Sequence, residues 1–377
     1  MFATEQSVCH DSGSMSIGFE LPHVVARLCG SVCARLELAQ MNKWSTRDVT
    51  FQQGRLAVIT GATGGLGYET ALVLAGAGAQ VVLAGRDPAK GQAAIERIGA
   101  AHPRAAVRFE YLDLGSLDSV HRFAERLAGQ HDSVDMLINN AAVMAPPTRQ
   151  VTANGYELQF GTNYLAHYAL TARLLPMLRR ARQARVVNVS SLAHRLGAAI
   201  AVDDLQWVRR YRGMAAYGQS KLAMLLFTFE LQRRSDANGW GLFSVAAHPG
   251  YARTGLPHGG PRIDGNGRAG LVETLNNWIE PLLAQAPDRG ALPILFAATS
   301  PQARKSGYYG PTGRFELGGE VGRAVVGRRA ADQAMAMWLW NISENLAHVD
   351  WMSAHDARPA PPVSTRREWT GANTVGT

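Results

Sequence analysis

Thr60-Gly61-Ala62-Thr63-Gly64-Gly65-Leu66-Gly67 is the stretch on which the reading of this chain turns. A short apolar β-branched run, Leu56 to Thr60, leads into it, and a helical pattern, Tyr68 to Ala77, leads out. In a strand–turn–helix setting each glycine has a physical reason. Gly61 permits the sharp turn, Gly65 lets the backbone approach a pyrophosphate, and Gly67 removes a side chain where helix meets sheet. The helix start adds unpaired N–H groups and a partial positive charge, both suited to phosphate. Thr63 and Leu66 share the turn and count among the expected nucleotide contacts.

Outward from this turn, strands and helices alternate. Gln80 to Ala84 is a second apolar run and Pro88 to Gly99 a second helix. Val107 to Leu112, Met136 to Ile138, Arg185 to Val189 and Phe243 to Ala247 read as further strands. Strands separated by helices imply βαβ units, hence an α/β fold: a doubly wound parallel sheet of Rossmann type, in a single domain. The run at 185–189 is nearly all apolar, as expected for a strand covered on both faces. The expected organisation is an N-terminal extension over 1–53, a catalytic domain over 54–320, and a C-terminal part over 321–377. Two long connections, 196–214 and 251–290, interrupt the rhythm and are expected to line a substrate mouth. In the C-terminal part, Ala330 to Val349 suggests one last helix, and the chain from Arg358 reads as a disordered tail. Met41-Asn42-Lys43-Trp44 immediately precedes the patterned region, so residues 1–40 are expected to be dispensable.

Composition narrows the function classes. Lys and Arg number 38 against 30 Asp and Glu, a net charge of +8, but only four residues are lysine: Lys43, Lys90, Lys221 and Lys305. The arginines are scattered, without the basic stripe a nucleic-acid partner would need, so none is expected. The longest apolar runs, such as Leu222 to Leu231 and Ala291 to Ala298, are too short to span a membrane. Cys9, Cys29 and Cys33 are the only cysteines, which removes a disulfide framework or a cysteine-bound metal from the main domain. A reducing, cytoplasmic location and no metal are the expectations; a homo-oligomer is left open.

The second strand ends at Gly85-Arg86-Asp87. A carboxylate at that position would accept bonds from a ribose 2′-OH, whereas Arg86 suits a 2′-phosphate. NADP(H) is therefore expected in preference to NAD(H), although Asp87 follows directly. Asp113-Leu114 ends the third strand, where an adenine would lie. Asn139-Asn140-Ala141-Ala142 ends the fourth, with small residues at Ala141 and Ala142 that let backbone lie against a cofactor, and Asn140 able to brace its neighbours.

Tyr217-Gly218-Gln219-Ser220-Lys221 opens a strongly helical run, and residues four apart share a helix face. A free phenol, with pKa near 10, is a poor acid–base group at neutral pH; a neighbouring ammonium is expected to lower it. Ser190-Ser191 ends the preceding strand, where a hydroxyl points into the crevice of an open α/β sheet. Leu196, Trp207, Tyr211, Leu256 and Trp278 suggest an apolar mouth.

Taken together, TGATGGLG, NNAA, LQFGTNYLAHYAL, VVNVSS, YGQSK and HPGYARTGL resemble the short-chain dehydrogenase/reductase family, in its retinol-dehydrogenase-like branch. The resemblance runs from about residue 54 to 320. It implies a catalytic tetrad of Asn163, Ser191, Tyr217 and Lys221, with Ser191 rather than Ser190 as the active serine and Asn163 holding a water in a relay to Lys221. It also implies that Pro249, Gly250 and Thr254 lie near the nicotinamide, and that Tyr217 and Lys221 touch the cofactor. The function it implies is hydride transfer between NADP(H) and a small apolar carbonyl or alcohol. An epimerase or dehydratase of the same fold, or a dinucleotide-binding regulator without turnover, are the alternatives. The gap between Ser191 and Tyr217 is long and is usual only in that branch.

Overall fold

Each of the six expected strands forms in the computed structural model, which describes residues 44–251 and 286–352. They are β1 (Leu56–Thr60), β2 (Gln80–Gly85), β3 (Val107–Tyr111), β4 (Met136–Asn139), β5 (Arg185–Val189) and β6 (Phe243–Ala247). Two more, β7 (Tyr308–Pro311) and β8 (Val321–Arg323), carry too few residues to show a period and were not expected. The strands line up as β3-β2-β1-β4-β5-β6-β7-β8. Pairing is parallel as far as β7, and only β7–β8 runs antiparallel. The expected parallel sheet is thus a mostly parallel one with an antiparallel edge, because an edge strand with one partner can return by a short hairpin.

The helices are α1 (Gly65–Gly76), α2 (Pro88–Ala101), α3 (Leu117–Ala128), α4 (Ala166–Arg180), α5 (Gly213–Ala237), α6 (Pro287–Thr299) and α7 (Gln333–Ala347). Helix α1 packs against α6, α3 against α4, and α5 against α7. Helix α5 buries every residue from Ala216 to Thr228, polar ones included, as a helix enclosed on all sides must. Helix α7 sends Trp340 into a buried aromatic cluster with Tyr168, Phe227 and Trp351. The boundary expected at residue 320 falls in the β7–β8 connection, and α7 packs as part of the same body. At the other end, Trp44 is buried edge-on against Phe296 of α6, so residues from 44 onward join that body ahead of the patterning at Gly54.

Three helix limits differ from the expectation. Helix α1 begins at Gly65, so only Gly65, Leu66 and Gly67 of the glycine-rich stretch belong to its first turn; glycine hides that start from a periodicity reading. Helix α5 begins at Gly213, which places Tyr217 in its second turn. The segment expected as one helix over Ala330 to Val349 is a 3₁₀ turn at Arg328–Ala331 followed by α7, because Asp332 caps α7 by accepting from Met335 N. The backbone of His348 then turns left-handed and ends it. Residues 1–43, most of the 251–290 connection including Thr254, Leu256 and Trp278, and the tail from 353 lie outside the described residues.

Candidate active site

From β1 the chain steps outward through β2 to β3, then crosses to β4 on the opposite side of β1. Such a reversal opens a crevice at the carboxyl ends of the two central strands. Gly61 and Asn140 meet there. Gly61 has φ +65°, and a Cβ on it would fall 2.9 Å from the Ala141 methyl. A Cβ on Gly67 would meet Asn140 Nδ2 at 2.7 Å. Asn140 Nδ2 donates to the Thr60 carbonyl at 2.9 Å, bracing β1 against β4 as expected. A Cβ on Gly64 would meet nothing, so the front of α1 is open, with the amides of Gly65, Leu66 and Gly67 in its first turn. Open N–H groups, a tight glycine cradle and small residues at Ala141 and Ala142 fit a dinucleotide pyrophosphate.

At the end of β2 the two candidates separate. Asp87 is spent as the cap of α2, accepting from Lys90 N at 3.1 Å. Arg86 is exposed and has no partner among the described residues. Asp113 holds its own turn by accepting from Gly115 N at 2.8 Å, while Leu114 is buried beside it. Thr63 lies against Gly85, where a Cβ would come 3.3 Å from its methyl.

One strand over, β5 delivers the two serines. Ser190 Oγ donates to the Lys221 carbonyl at 2.9 Å, tying strand to helix. Ser191 Oγ accepts from Ala193 N at 3.3 Å and stands close enough to the Tyr217 phenol to lower its pKa. Ser191, not Ser190, thus meets the tyrosine. Lys221 Nζ donates to the Val189 carbonyl at 3.0 Å and lies 5.8 Å from the Tyr217 ring centre. Burial lowers the Lys221 pKa to about 8 and raises that of Tyr217 to about 12, the Ser191 hydroxyl only partly offsetting the latter. The expected lowering of the phenol by its ammonium neighbour does not appear in the protein alone: desolvation of the phenolate is the largest influence, and only the Ser191 hydroxyl opposes it.

Asn163 sits in a π-turn, Phe160–Leu165, before α4. Its side chain is fully engaged. Oδ1 accepts from Val143 N at 2.8 Å, and Nδ2 donates to the Val143 carbonyl at 2.9 Å and to Ser220 Oγ at 3.0 Å. Of the mouth residues, Leu196 is 78 % exposed, whereas Tyr211 hydrogen-bonds Glu157 and Gln159 and serves as an anchor. Trp207 is half-buried with its backbone at φ +52°.

A second polar cluster flanks the serine and escaped the sequence reading. Glu316 Oε2 lies 2.9 Å from Arg195 Nη2 and 3.3 Å from His248 Nε2, the latter off line for a hydrogen bond and on a ring that burial pushes toward its neutral form. Its other oxygen accepts from Val325 N at 2.9 Å. His248 Nδ1 accepts from Gly250 N at 3.1 Å, in the Pro249-Gly250 loop. His194 Nδ1 is 2.7 Å from the Ser191 carbonyl. Phe315 and Glu316 both have positive φ, a strained pair that persists only where surrounding bonds enforce it. His248 stood next to Pro249 in the sequence, a usable signal; Glu316 offered none. His167, within the LQFGTNYLAHYAL segment, was also passed over.

The short chain dehydrogenase family model matches residues 55–259. Human retinol dehydrogenase 13 is 38% identical over 310 residues, covering 82% of this chain and 88% of that protein. Mouse polyprenol dehydrogenase is 37% identical over 294 residues, 77% of this chain and 82% of its own. Among solved structures, a protein from Mycobacterium paratuberculosis superposes with TM-score 0.66 at 40% identity, covering 82% of this chain and 98% of that one. A Shigella flexneri protein solved with NADP shares the fold at TM-score 0.53 and 21% identity, over 68% and 96%. The fold, the glycine turn at a strand-order reversal and these similarities agree: the chain belongs to the short-chain dehydrogenase/reductase family of oxidoreductases and is similar to its retinol-dehydrogenase-like members.

Proposed function

We propose that this enzyme carries out reversible hydride transfer between NADP(H) and an apolar carbonyl or alcohol, with Tyr217 as the proton donor and acceptor. The observation that carries the reading is the meeting of Ser191, Tyr217 and Lys221 at the carboxyl end of β5, beside the crevice that Gly61 and Asn140 shape. When bound, the nicotinamide supplies or takes the hydride. Ser191 orients the substrate oxygen, and Tyr217 gives it a proton in reduction or removes one in oxidation. Lys221, held by the Val189 carbonyl, keeps a cation one helical turn from the phenol and is a ribose contact. The α1 amides hold the pyrophosphate, and Arg86, with no other partner among the described residues, takes a 2′-phosphate.

The apolar substrate class is supported by the relatives' names, retinol and polyprenol dehydrogenase, and by Leu196, Met214 and Met144, exposed on three segments next to Ser191, Tyr217 and β4. The test is a panel of aldehydes and ketones with NADPH, followed by cofactor absorbance. One NADPH consumed per carbonyl reduced is expected. Turnover with no net cofactor consumption would indicate an epimerase or dehydratase instead, and nucleotide binding without turnover a regulator.

A further inference from the structure

A run of buried hydrogen bonds joins the glycine-rich turn to helix α5, with His167 at its centre. At the crevice end, the N–H groups of Asn140 and Ala141 donate to Thr60 Oγ1 at 2.9 and 3.0 Å. That oxygen has one proton to give. His167 Nε2 is 2.9 Å away, whereas the Ile138 carbonyl is at 3.4 Å. The other ring nitrogen, Nδ1, lies 2.8 Å from the Asn163 carbonyl, which can only accept. Nδ1 therefore carries the ring proton, and Nε2 accepts from the threonine. Beyond Asn163 the run continues: Nδ2 donates to Ser220 Oγ at 3.0 Å, and that hydroxyl donates to the Tyr217 carbonyl at 2.8 Å.

Thr60, Asn163, His167 and Ser220 are all fully buried. An apolar side chain would fill the His167 site without the desolvation that an imidazole suffers there. The imidazole is matched at both nitrogens, and a fully satisfied buried network fixes one arrangement of the groups it joins. Those groups are the backbone that shapes the dinucleotide crevice and the asparagine packed against the second turn of α5.

We propose that His167 is a positioning residue that couples the dinucleotide turn to the proton-transfer group, holding the Thr60 hydroxyl at one end and the Asn163 carbonyl at the other. The proposal rests on the hydride-transfer reading above for its kinetic consequence, and on geometry alone for its wiring. His167→Leu removes both bonds and keeps the bulk. Its kcat is expected to fall ten- to a hundredfold, the scale of a small misplacement of reacting groups, with NADPH Kd within about threefold of wild type. His167→Asn restores a donor at the Nδ1 position but leaves the Thr60 hydroxyl without its acceptor, and is expected to recover kcat only in part.

The experiment combines NADPH titration and steady-state kinetics on wild type and both variants with ¹H–¹⁵N imidazole spectra of the full chain, the His167 signals being assigned by their loss in His167→Asn. The expected spectrum is a neutral ring protonated on Nδ1 at pH 7, whose shifts move on NADPH addition and cease to move in Thr60→Val. A folded His167→Leu protein with wild-type kcat, a loss of kcat that merely tracks lost NADPH affinity, or no recovery in His167→Asn would overturn the proposal. So would a ring protonated on Nε2 or insensitive to NADPH. Absence of carbonyl turnover in the wild type would sink the hydride-transfer reading instead, and the tautomer and its response to NADPH would still decide the wiring.

Discussion

The Lys221 ammonium stands 5.8 Å from the centre of the Tyr217 ring, one turn further along α5, and is tethered to the Val189 carbonyl at the end of β5. The pair is enclosed, so burial pushes both groups toward their neutral forms, the phenol to about 12 and the amine to about 8. The protein alone thus holds Tyr217 as an acid, ready to give a proton to a carbonyl. Tyr217→Phe removes one oxygen and leaves the ring to pack. Its kcat should drop by about 10²–10⁴, the usual worth of positioned acid–base catalysis, with NADPH binding retained. Lys221→Ala should lose kcat and NADPH affinity together, and the double variant should lose no more than the worse single, since a unit fails once. Steady-state kinetics with cofactor fluorescence read all three; near-wild-type kcat in Tyr217→Phe would refute the mechanism.

Arg86 ends β2 with its guanidinium exposed and unpartnered among the described residues, while Asp87 is committed to capping α2. Arg86→Asp should therefore raise KM for NADPH by roughly ten- to a hundredfold, the worth of a charge-assisted contact, and leave NADH little changed. Equal effects on both cofactors would remove Arg86 from the 2′-phosphate site.

Glu316 ties the segment after Ser191, through Arg195, to the loop after β6, through His248. Its carboxyl titrates below the usual range: burial pushes it up, but the nearby His248 ring, the Val325 hydrogen bond and the Arg195 charge outweigh that. Glu316→Gln keeps the shape and removes the charge. Stability should fall by about 1–3 kcal/mol, from the half-buried Arg195 cation losing its carboxylate partner, and KM for both substrates should rise as the two loops loosen. Thermal denaturation and kinetics check this; unchanged Tm and KM would reduce Glu316 to a bystander.

His167 and His194 are buried, and burial lowers each to about pH 4 from the ordinary 6.5, partly opposed by the backbone acceptors Asn163 and Ser191. Between about pH 4 and 6.5 the unfolded chain binds protons that the folded protein does not. Stability should therefore rise with pH across that window, be fully present above 6.5, and be lost as pH falls through it. Chemical denaturation at pH 7, 6 and 5, followed by circular dichroism, should show a declining midpoint. His167→Asn should flatten the decline; an equally steep decline in that variant would assign the acid sensitivity elsewhere.

Much of the fold and of the site was legible from the chain alone. Six strands were legible, most of them as apolar runs, because a buried parallel strand must be apolar on both faces; the edge strand β3, Val-Arg-Phe-Glu-Tyr, is the exception. Gly61 and Gly67 could be read because their turn has no room for a side chain, and Tyr217 with Lys221 because a helix fixes which residues share a face. Strands β7 and β8 could not, being short and stabilised by a neighbour rather than by their own pattern.

What the sequence by itself determined was local: turn, helix face, strand core, and the residue types able to do the chemistry. Tertiary structure decided which group each of those residues meets. Asp87 became a cap and left Arg86 without a partner among the described residues, and Ser190 was tied to Lys221 while Ser191 reached Tyr217. The sign of the Tyr217 shift was decided the same way, since desolvation depends on everything packed around a group and not on the residue four places along. Thr60, His167 and Asn163 lie far apart or unremarked in the chain and become one hydrogen-bonded run only when β1 and α4 pack together, because a buried donor must find its acceptor wherever the fold supplies one.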